Sequence, residues 1–372
     1  MPNTEKKPFF VLQWHITGRC DQACKHCYMV NDPENYGREL AGELSLCDCR
    51  RVIDSLVEFR EAAGAYTKIN FTGGDPLLRK DFFEILEYAH ARDIELCVMG
   101  NPFHLTADNI RKMKNIGVIS YQVSLDGMEE MHDELRKPGS FRATVSAIKL
   151  LVECEMRAVV MFTISKKNCE NLFPVMRLVD NLGVGAFAFA RLSINPVIAT
   201  KIAPVEAAFT PLEYRELLLE AQALMHELKL AGSKTTFTLK DHLWKLLLYE
   251  QGRLELHPNP DNLIVSGCHI GGRDLAVLSD GTVFACRRFN SPIGKVPEQS
   301  ILDIFTSDKL ERYRDISRFE LCSKCPLLMY CRGCPAVAYG ASGGNFFAPD
   351  PQCWKFVSRD TTGDYKVERR KP

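Results

Sequence analysis

Apolar positions in the first two hundred residues follow two alternating patterns. Short runs rich in β-branched and aromatic residues predict buried strands, and longer segments with apolar positions three and four apart predict helices. The predicted strands are Phe10–Thr17, Thr67–Thr72, Ile94–Met99, Val118–Leu125, Arg157–Ile164 and Ala186–Leu192. The predicted helices are Leu46–Phe59, Asp81–Ala91, Ala107–Asn115, Phe141–Cys154 and Leu172–Leu182, with Ser45 and Ser140 as N-caps.

Alternation of strand and helix implies parallel strands joined by right-handed crossovers. Six such units predict an α/β fold, a partial (β/α)6 barrel of the TIM type, with ligands at the carboxyl ends of the strands. Those ends carry a cysteine loop, then Gly73-Gly74-Asp75-Pro76, Gly100-Asn101-Pro102 and Ser124-Leu125-Asp126-Gly127. We therefore expect one shared site at this rim.

The pattern changes after residue 195. Pro196, Pro204, Pro211 and the segment 257–260 predict linkers around two helices, Leu212–Leu230 and Lys240–Tyr249. The rest is rich in turns, apart from a hairpin predicted from Asp274–Leu278 and Thr282–Ala285. We expect four regions: a barrel at 8–195, a helical bridging region at 196–261, a small cysteine-rich domain at 262–355 and a charged tail at 356–372.

Composition and charge exclude several classes of protein. The 372 residues are 46% hydrophobic, and 47 Lys and Arg balance 47 Asp and Glu. Zero net charge argues against a general nucleic-acid binder and against an electrostatic membrane anchor. No apolar run approaches the roughly 20 residues of a transmembrane helix, and no hydrophobic segment of a signal peptide follows the charged N-terminus. The expected location is the cytoplasm.

The chain has 15 cysteines, which is the unusual feature of its composition. In a reducing compartment, clustered cysteines indicate metal ligands rather than disulfides. Nine of them fall into groups along the chain and Cys353 follows alone. The other five lie in ordinary helix or strand contexts, where a small buried apolar role is expected. These five are Cys47, Cys49, Cys97, Cys154 and Cys169.

The first group is Cys20-x3-Cys24-x2-Cys27, in the loop after the first strand. Three thiolates on one short loop hold three irons of a 4Fe–4S cluster and leave the fourth iron open. A structural zinc site needs a fourth ligand close by, for which His15 or His26 is available. The glycine-rich segment that ends the second strand favours the iron–sulfur interpretation.

This loop with Tyr28 after it, the segments 73–76 and 124–127, and His132-Asp133 resemble the radical S-adenosylmethionine (SAM) superfamily. The resemblance covers roughly residues 8 to 195. It implies that SAM binds the open iron and is cleaved by an electron from the cluster. The resulting 5′-deoxyadenosyl radical abstracts a hydrogen atom from the substrate, so the cofactor performs the difficult chemistry and the protein positions it.

The resemblance also implies a set of SAM contacts. The glycines let the backbone approach the methionine, Asp75 stands where the family usually has Glu, and Arg142 pairs with the SAM carboxylate. A simple turn at Asp126 and a solvated surface position for Arg142 are the alternatives, and His26 is expected to pack on the cluster. The predicted contacts are Gly73, Gly74, Asp75, Asn101, Ser124, Asp126 and Arg142.

The later cysteines resemble a SPASM domain over roughly residues 262 to 355. One departure is that two residues, not three, separate Cys331 from Cys334. The resemblance implies one cluster held by Cys322, Cys325, Cys331 and Cys353, and another held by Cys268, Cys286 and Cys334. The expected cofactors are therefore three 4Fe–4S clusters and SAM, with two structural zinc sites as the alternative for this domain.

The fourth ligand of the Cys268 group is not apparent from the sequence. The options are His269, one of the unassigned cysteines, or an exchangeable ligand that a substrate cysteine displaces. A metal-bound thiol is deprotonated, so the last option would prepare a substrate sulfur to meet a carbon radical.

The resemblance favours a peptide maturase that forms a cysteine thioether crosslink. Arg287 and Arg288 follow Cys286 where formylglycine maturases have an Asp, which argues against that branch, and either arginine would suit an acidic group of the substrate. A peptide epimerase, a carbon–carbon crosslinker and a tetrapyrrole modifier of the haem-biosynthetic kind also fit the cysteine pattern. A non-enzymatic electron carrier or a zinc-stapled scaffold would belong to a different class of protein.

The expected partners follow from the interpretation as a thioether-forming peptide maturase. They are a cysteine-containing peptide and a reductant such as flavodoxin or ferredoxin. Many such maturases carry an N-terminal domain that grips a leader peptide. Because the first strand here begins at Phe10, we expect leader recognition to come from a separate leader-peptide-binding protein or from another surface. Neither nucleic acid nor a membrane is an expected partner.

Overall fold

The structure is a computed structural model that describes residues 8–193, 208–258, 264–359 and 365–367. Its centre is a parallel sheet in the order β1 to β6. The strands are β1 Phe9–Thr17, β2 Tyr66–Gly73, β3 Glu95–Met99, β4 Val118–Ser124, β5 Arg157–Ile164 and β6 Ala186–Arg191. The predicted strands and their parallel pairing are confirmed, with each end within about one residue of its predicted position, inside the usual uncertainty of element boundaries.

The connecting segments contain the predicted helices and two further short ones. Ser45 caps its helix as predicted, because its side chain accepts the N–H of Asp48. Ser140 does not cap, since Gly139 is the N-cap and the Ser140 hydroxyl instead contacts His132 at 3.1 Å. The helices are α1 Pro33–Ala41, α2 Leu46–Ala63, α3 Phe82–His90, α4 Ala107–Ile116, α5 Glu129–Leu135, α6 Ser140–Glu153 and α7 Leu172–Asn181.

The sheet continues past the barrel strands at both edges. β7 Thr236–Thr238 pairs in parallel with β6, and β8 Asp274–Val277 pairs in parallel with β1. β9 Thr282–Phe284 and β10 Pro292–Lys295 follow as antiparallel strands. The predicted hairpin is therefore confirmed as β8 and β9, and it extends the barrel sheet instead of standing apart from it.

The bridging region and the C-terminal part are built from short elements. The helix predicted at Lys240 begins later, because the Asp241 side chain accepts the N–H of Leu243 and holds a turn there. Pro196 and Pro204 lie outside the described residues. The elements are α8 Pro211–Leu230, α9 Trp244–Glu250, α10 Ile301–Phe305, α11 Asp308–Glu311, α12 Pro335–Ala341, and an antiparallel pair of β11 Val357–Arg359 and β12 Tyr365–Val367.

One apolar core runs through the barrel and the C-terminal part. Trp14 on β1 stacks on Phe71 of β2 with ring centroids 5.7 Å apart. On the same strand, Phe10 packs against Phe59 of α2 and Phe305 of α10. The two regions therefore share buried apolar surface, which is the main source of stability. Within the described residues, no helix is long and apolar enough to cross a membrane.

Arg191, at the end of β6, ties three parts of the chain together. Its guanidinium is buried and lies 2.9 Å from an oxygen of Asp241 and 2.6 Å from an oxygen of Asp350. A third bond, also 2.6 Å, reaches Gln352. Two buried carboxylates thus depend on one buried cation, so removing the cation leaves both without compensation.

We expect Arg191→Met to lower the free energy of unfolding by about 3–5 kcal/mol, because it leaves two buried carboxylates without a counter-ion. The measurement is anaerobic chemical denaturation of the iron-loaded protein. Arg177→Met is the control, since it removes only an exposed ion pair with Glu227 and should barely move the midpoint. Equal shifts in both variants would contradict the role given to Arg191.

Candidate functional site

The carboxyl ends of β1 to β4 border one cavity of about 250 Å³. Cys20, Cys24 and Cys27 all line it. Gly73 and Gly74 line it as well. The segments that the strand order placed at one rim are therefore brought together around a shared space.

The two glycines are required by the backbone of the cysteine loop. Gly73 has a φ of 121°, and a Cβ there would lie 2.2 Å from the carbonyl oxygen of Thr17. A Cβ on Gly74 would lie 1.9 Å from the carbonyl oxygen of Arg19. Only glycine fits such an approach, so the second strand end fixes the position of the loop that carries the three cysteines.

Asn101 and Ser124 also reach the cavity. The Asn101 amide nitrogen lies 3.3 Å from the Cys20 sulfur and 3.3 Å from an Asp21 oxygen. Both side chains are available to a ligand beside the cysteines. Their contact with SAM, like that of the glycines, stays a prediction.

Asp75 does not line the cavity. Its side chain is fully buried, and one oxygen accepts the N–H of Leu77 at 3.2 Å, which caps the short turn Pro76–Leu78. Burial raises the pKa of Asp75 to about 6. In this structure the shorter Asp therefore has a capping role and is not placed for direct contact with a ligand.

Asp126 is also buried below the cavity surface. Burial alone would raise its pKa, but Arg136 at 2.6 Å and His26 at 3.1 Å hold it well below the usual range. Asp126 also accepts the N–H of Thr163 at 2.7 Å. It therefore orients its neighbours and does not itself face a ligand.

Arg142 is placed away from the cavity. Its side chain is 79% exposed and pairs with Glu129 at 2.6 Å, which corresponds to the solvated alternative. The cation beside the cysteine loop in the cavity is instead Arg136, whose guanidinium lies 3.5 Å from the Cys24 sulfur. Sequence reasoning missed Arg136, although it comes one helical turn after the His132-Asp133 motif.

A buried hydrogen-bonded chain ends at the cavity on Tyr28. The Tyr28 hydroxyl lies 3.0 Å from His15 Nε2, and His15 Nδ1 lies 3.0 Å from a Glu39 oxygen. Ser279, in the turn after β8, donates its hydroxyl to the Glu39 carbonyl at 2.9 Å. Burial raises the pKa of Tyr28 to about 12, so the phenol keeps its proton. The C-terminal part thus supports a side chain of the barrel site.

The C-terminal cysteines gather into the two expected groups. Burial raises the pKa of the Cys268 thiol, and the nearby thiolate charges of Cys286 and Cys334 raise that pKa further. The pKa of Cys322 is raised in the same way by burial and by the nearby charges of Cys325, Cys331 and Cys353. A small recess is lined by all four thiols of this second group. Each group is therefore a cradle of sulfur atoms, as a cluster would need.

The spacing of the sulfurs favours clusters over single metal ions. A tetrahedral zinc–thiolate site holds its sulfurs about 4 Å apart, given zinc–sulfur bonds of about 2.3 Å. Among the described residues, no three cysteine sulfurs lie within 4.8 Å of one another. Buried thiols also have raised pKa values, about 11 for Cys24 and about 12 for Cys353, and metal coordination is what makes a thiolate favourable there.

Two family models match the chain. Residues 14–173 match the radical SAM superfamily, and residues 268–326 match SPASM, an iron–sulfur cluster-binding domain. The first match covers the cysteine loop and the strand ends around the cavity. The second begins at Cys268 and ends just after Cys325.

Characterised relatives include enzymes of two kinds. The chain is 27% identical to an AdoMet-dependent heme synthase of Oleidesulfovibrio alaskensis, over 92% of this chain and 86% of the relative. It is 25% identical to the sporulation killing factor maturation protein SkfB of Bacillus subtilis, over 79% and 64%. The structure of Streptococcus suis SuiB bound to its precursor peptide SuiA shares the fold, with a TM-score of 0.68, 17% identity and coverage of 89% and 72%.

Anaerobically reconstituted protein should bind about 12 irons per chain if all three cysteine groups hold 4Fe–4S clusters. Iron and zinc are counted together by plasma emission spectroscopy. About four irons would confine the cluster to the barrel, and zinc as the main metal would contradict the cluster assignment altogether.

Changing Cys20, Cys24 and Cys27 together to Ala should abolish formation of 5′-deoxyadenosine, because no open iron remains to bind the cofactor. The assay is chromatography of the nucleoside after incubation with SAM and dithionite. Cys47→Ala, at an exposed position, is the matched control and should keep full cleavage. Cleavage by the triple variant would place the cofactor elsewhere.

Proposed function

We propose that this chain, a radical SAM enzyme with a C-terminal SPASM domain, oxidises a substrate that carries carboxylate groups. The observation that carries the proposal is a pair of cations, Lys240 and Arg287, that line the same cavity as the barrel cysteines. Neither charged group has a hydrogen-bond or ion-pair partner within the described part of the chain. Cations without partners favour an anionic ligand.

The electrostatics of Lys240 support this proposal. Although the side chain opens onto the cavity, the surrounding protein and the nearby Arg287 and Arg288 lower the pKa of Lys240 to about 8. The guanidinium of Arg287 lies 5.5 Å from the centre of the Tyr28 ring, so this aromatic face positions the second cation. A carboxylate between Lys240 and Arg287 would relieve their repulsion.

We further propose that the substrate is an iron tetrapyrrole. Haem carries propionate side chains, which fit two cations beside the radical site. The haem-synthase relative also aligns with nearly the whole chain, whereas the SkfB alignment is shorter. The non-enzymatic electron carrier and the zinc-stapled scaffold are not supported, because the relatives are enzymes.

SAM and a reduced barrel cluster supply the hydrogen-abstracting radical when bound. The chain's own residues then have separate tasks in this proposal. Lys240 and Arg287 hold the carboxylate, and the Cys268 and Cys322 groups would hold clusters able to accept the one electron that the substrate must still lose after hydrogen abstraction. A reductant such as flavodoxin or ferredoxin supplies the electron that reduces the barrel cluster before SAM is cleaved.

A peptide thioether is the second candidate. The three thiolates of Cys268, Cys286 and Cys334 support it if the fourth position on their cluster accepts a substrate cysteine. SkfB, a maturation protein, also aligns with most of the chain. This candidate keeps the cysteine-containing peptide and the separate leader-binding protein as partners.

The test supplies both substrate classes to the reconstituted enzyme with SAM and dithionite. One arm contains iron coproporphyrin III, a tetrapyrrole with four propionates, and the other contains cysteine-rich peptides encoded beside the gene. Mass spectrometry follows the substrate and 5′-deoxyadenosine. A modified tetrapyrrole with matching 5′-deoxyadenosine supports the proposal, and modification of a peptide alone replaces it with the second candidate.

Lys240→Gln should raise the KM for a carboxylate substrate about tenfold, the equivalent of about 1.4 kcal/mol. In the wild type, KM should rise as pH increases through about 8, because Lys240 loses its proton there. Lys240→Arg should remove that rise, since arginine stays charged. Lys309→Gln, at an exposed position, is the control. A pH-independent wild-type KM would contradict the role of Lys240.

A further inference from the structure

The cysteines of the Cys268 group supply three ligands, and a 4Fe–4S cluster has four irons. We propose that the carboxylate of Asp274 is the fourth protein ligand of this cluster. The inference rests on the cluster assignment of Cys268, Cys286 and Cys334, and it excludes the open fourth position that the thioether candidate requires.

The β8–β9 hairpin directs Asp274 toward the segment that carries Cys286. Asp274 is the first residue of β8, and β8 pairs antiparallel with β9 through Ala276 opposite Phe284. Continued two residues past the end of β9, the same register would bring Cys286 opposite Asp274. Opposed residues on antiparallel strands have Cβ atoms about 5 Å apart, so the hairpin points the Asp274 carboxylate toward the segment that carries Cys286.

The electrostatics agree with that placement. Burial is the main cause of the raised pKa values of Cys268 and Cys286, and the Asp274 carboxylate adds to it at both thiols. The charge of Cys334 also raises the pKa of both Cys268 and Cys286. The Asp274 carboxylate is therefore close to the same group of sulfurs that would hold the cluster.

The carboxylate has no other role in the described residues. Asp274 Oδ1 is buried and has no hydrogen-bond partner there, and no lysine or arginine forms an ion pair with it. Burial raises the pKa of Asp274 to about 6. Asp274 is half-buried as a residue, but its buried Oδ1 lacks a partner among the described residues, which costs free energy, and an iron of the cluster would supply that partner.

The remaining protein ligands considered from the sequence are placed less well. Among the described residues, the charged groups that act on His269 are Arg273 and Arg332, and none of the three thiols of the Cys268 group is among them. The five unassigned cysteines all lie between residues 47 and 169, within the barrel sequence. Cys97, for example, lies in β3 and contacts the Ser120 hydroxyl at 3.0 Å.

A fourth protein ligand changes what this cluster does. With Asp274 bound, no iron is open to a substrate thiolate, and the cluster serves to carry electrons. Ligand identity also sets the reduction potential of an iron–sulfur cluster. An aspartate in place of a fourth cysteine therefore gives this cluster a potential different from that of the all-cysteine Cys322 group.

The test uses the full chain with Cys20, Cys24 and Cys27 changed to Ala, so that only the C-terminal clusters are observed. Electron paramagnetic resonance of the reduced protein is recorded with and without 2-mercaptoethanol as a probe thiol. We expect no response while Asp274 is present. Asp274→Ala opens one iron, so the spectrum should change and should then respond to the thiol.

Asp274→Cys should restore insensitivity to the thiol and shift the midpoint potential of one cluster to a more negative value, because a thiolate donates more charge than a carboxylate. Asp308→Asn, at an exposed acid of the same domain, should change nothing. If Asp274→Ala loses iron, the Asp274→Cys variant is decisive. A full iron content with a lower midpoint potential then supports ligation by residue 274, and an unchanged midpoint potential overturns the proposal. A thiol response with Asp274 present also overturns the proposal.

Discussion

The pairing of β1 with strands from two distant parts of the chain is the constraint on which the site depends. β1 pairs with β2 on one side and with β8 on the other. The first pairing sets the cysteine loop against the glycines that end β2. The second brings the β8–β9 hairpin, and with it Asp274 and Cys286, to the edge of the barrel sheet. One strand therefore fixes the position of the cysteine loop and of the hairpin that leads to Cys286.

Buried charge explains why the two regions behave as one unit. Arg191 joins the end of β6 to Asp241 and Asp350, and Asp350 in turn accepts the backbone N–H of Cys334 at 2.7 Å. Ser279 supports Glu39, which orients His15 and Tyr28. Both networks join the barrel to the C-terminal part. Displacing one region would leave these buried charges without partners, so the two regions hold each other in place.

The barrel strands could be predicted well from the sequence because their apolar runs and the glycines that end them are local signals. The runs of β-branched residues before Gly73 and Gly100 need no knowledge of distant partners. The same local signals say nothing about pairing across more than two hundred residues. That is why the hairpin was predicted but its parallel pairing with β1 was not. The position of α9 was also missed by four residues, because Asp241 is fixed by a partner fifty residues away.

The candidate site was predicted unevenly for a related reason. A strand end predicts that a residue lies at the rim, and Gly73, Gly74, Asn101 and Ser124 do lie there. It does not predict which way a side chain turns. Asp126 turns inward because Arg136 compensates its charge, and Arg142 turns outward to Glu129. Such choices depend on charge partners that only the folded chain brings together.

The central claim is that the cavity directs a radical at a carboxylate-bearing tetrapyrrole side chain. Deuterium transfer tests it most directly. Iron coproporphyrin III deuterated on its propionate methylenes would be incubated with the reconstituted enzyme, SAM and dithionite, and the 5′-deoxyadenosine analysed by mass spectrometry. The account predicts nucleoside that carries one deuterium, formed together with modified tetrapyrrole. Unlabelled nucleoside with an unchanged tetrapyrrole would contradict it.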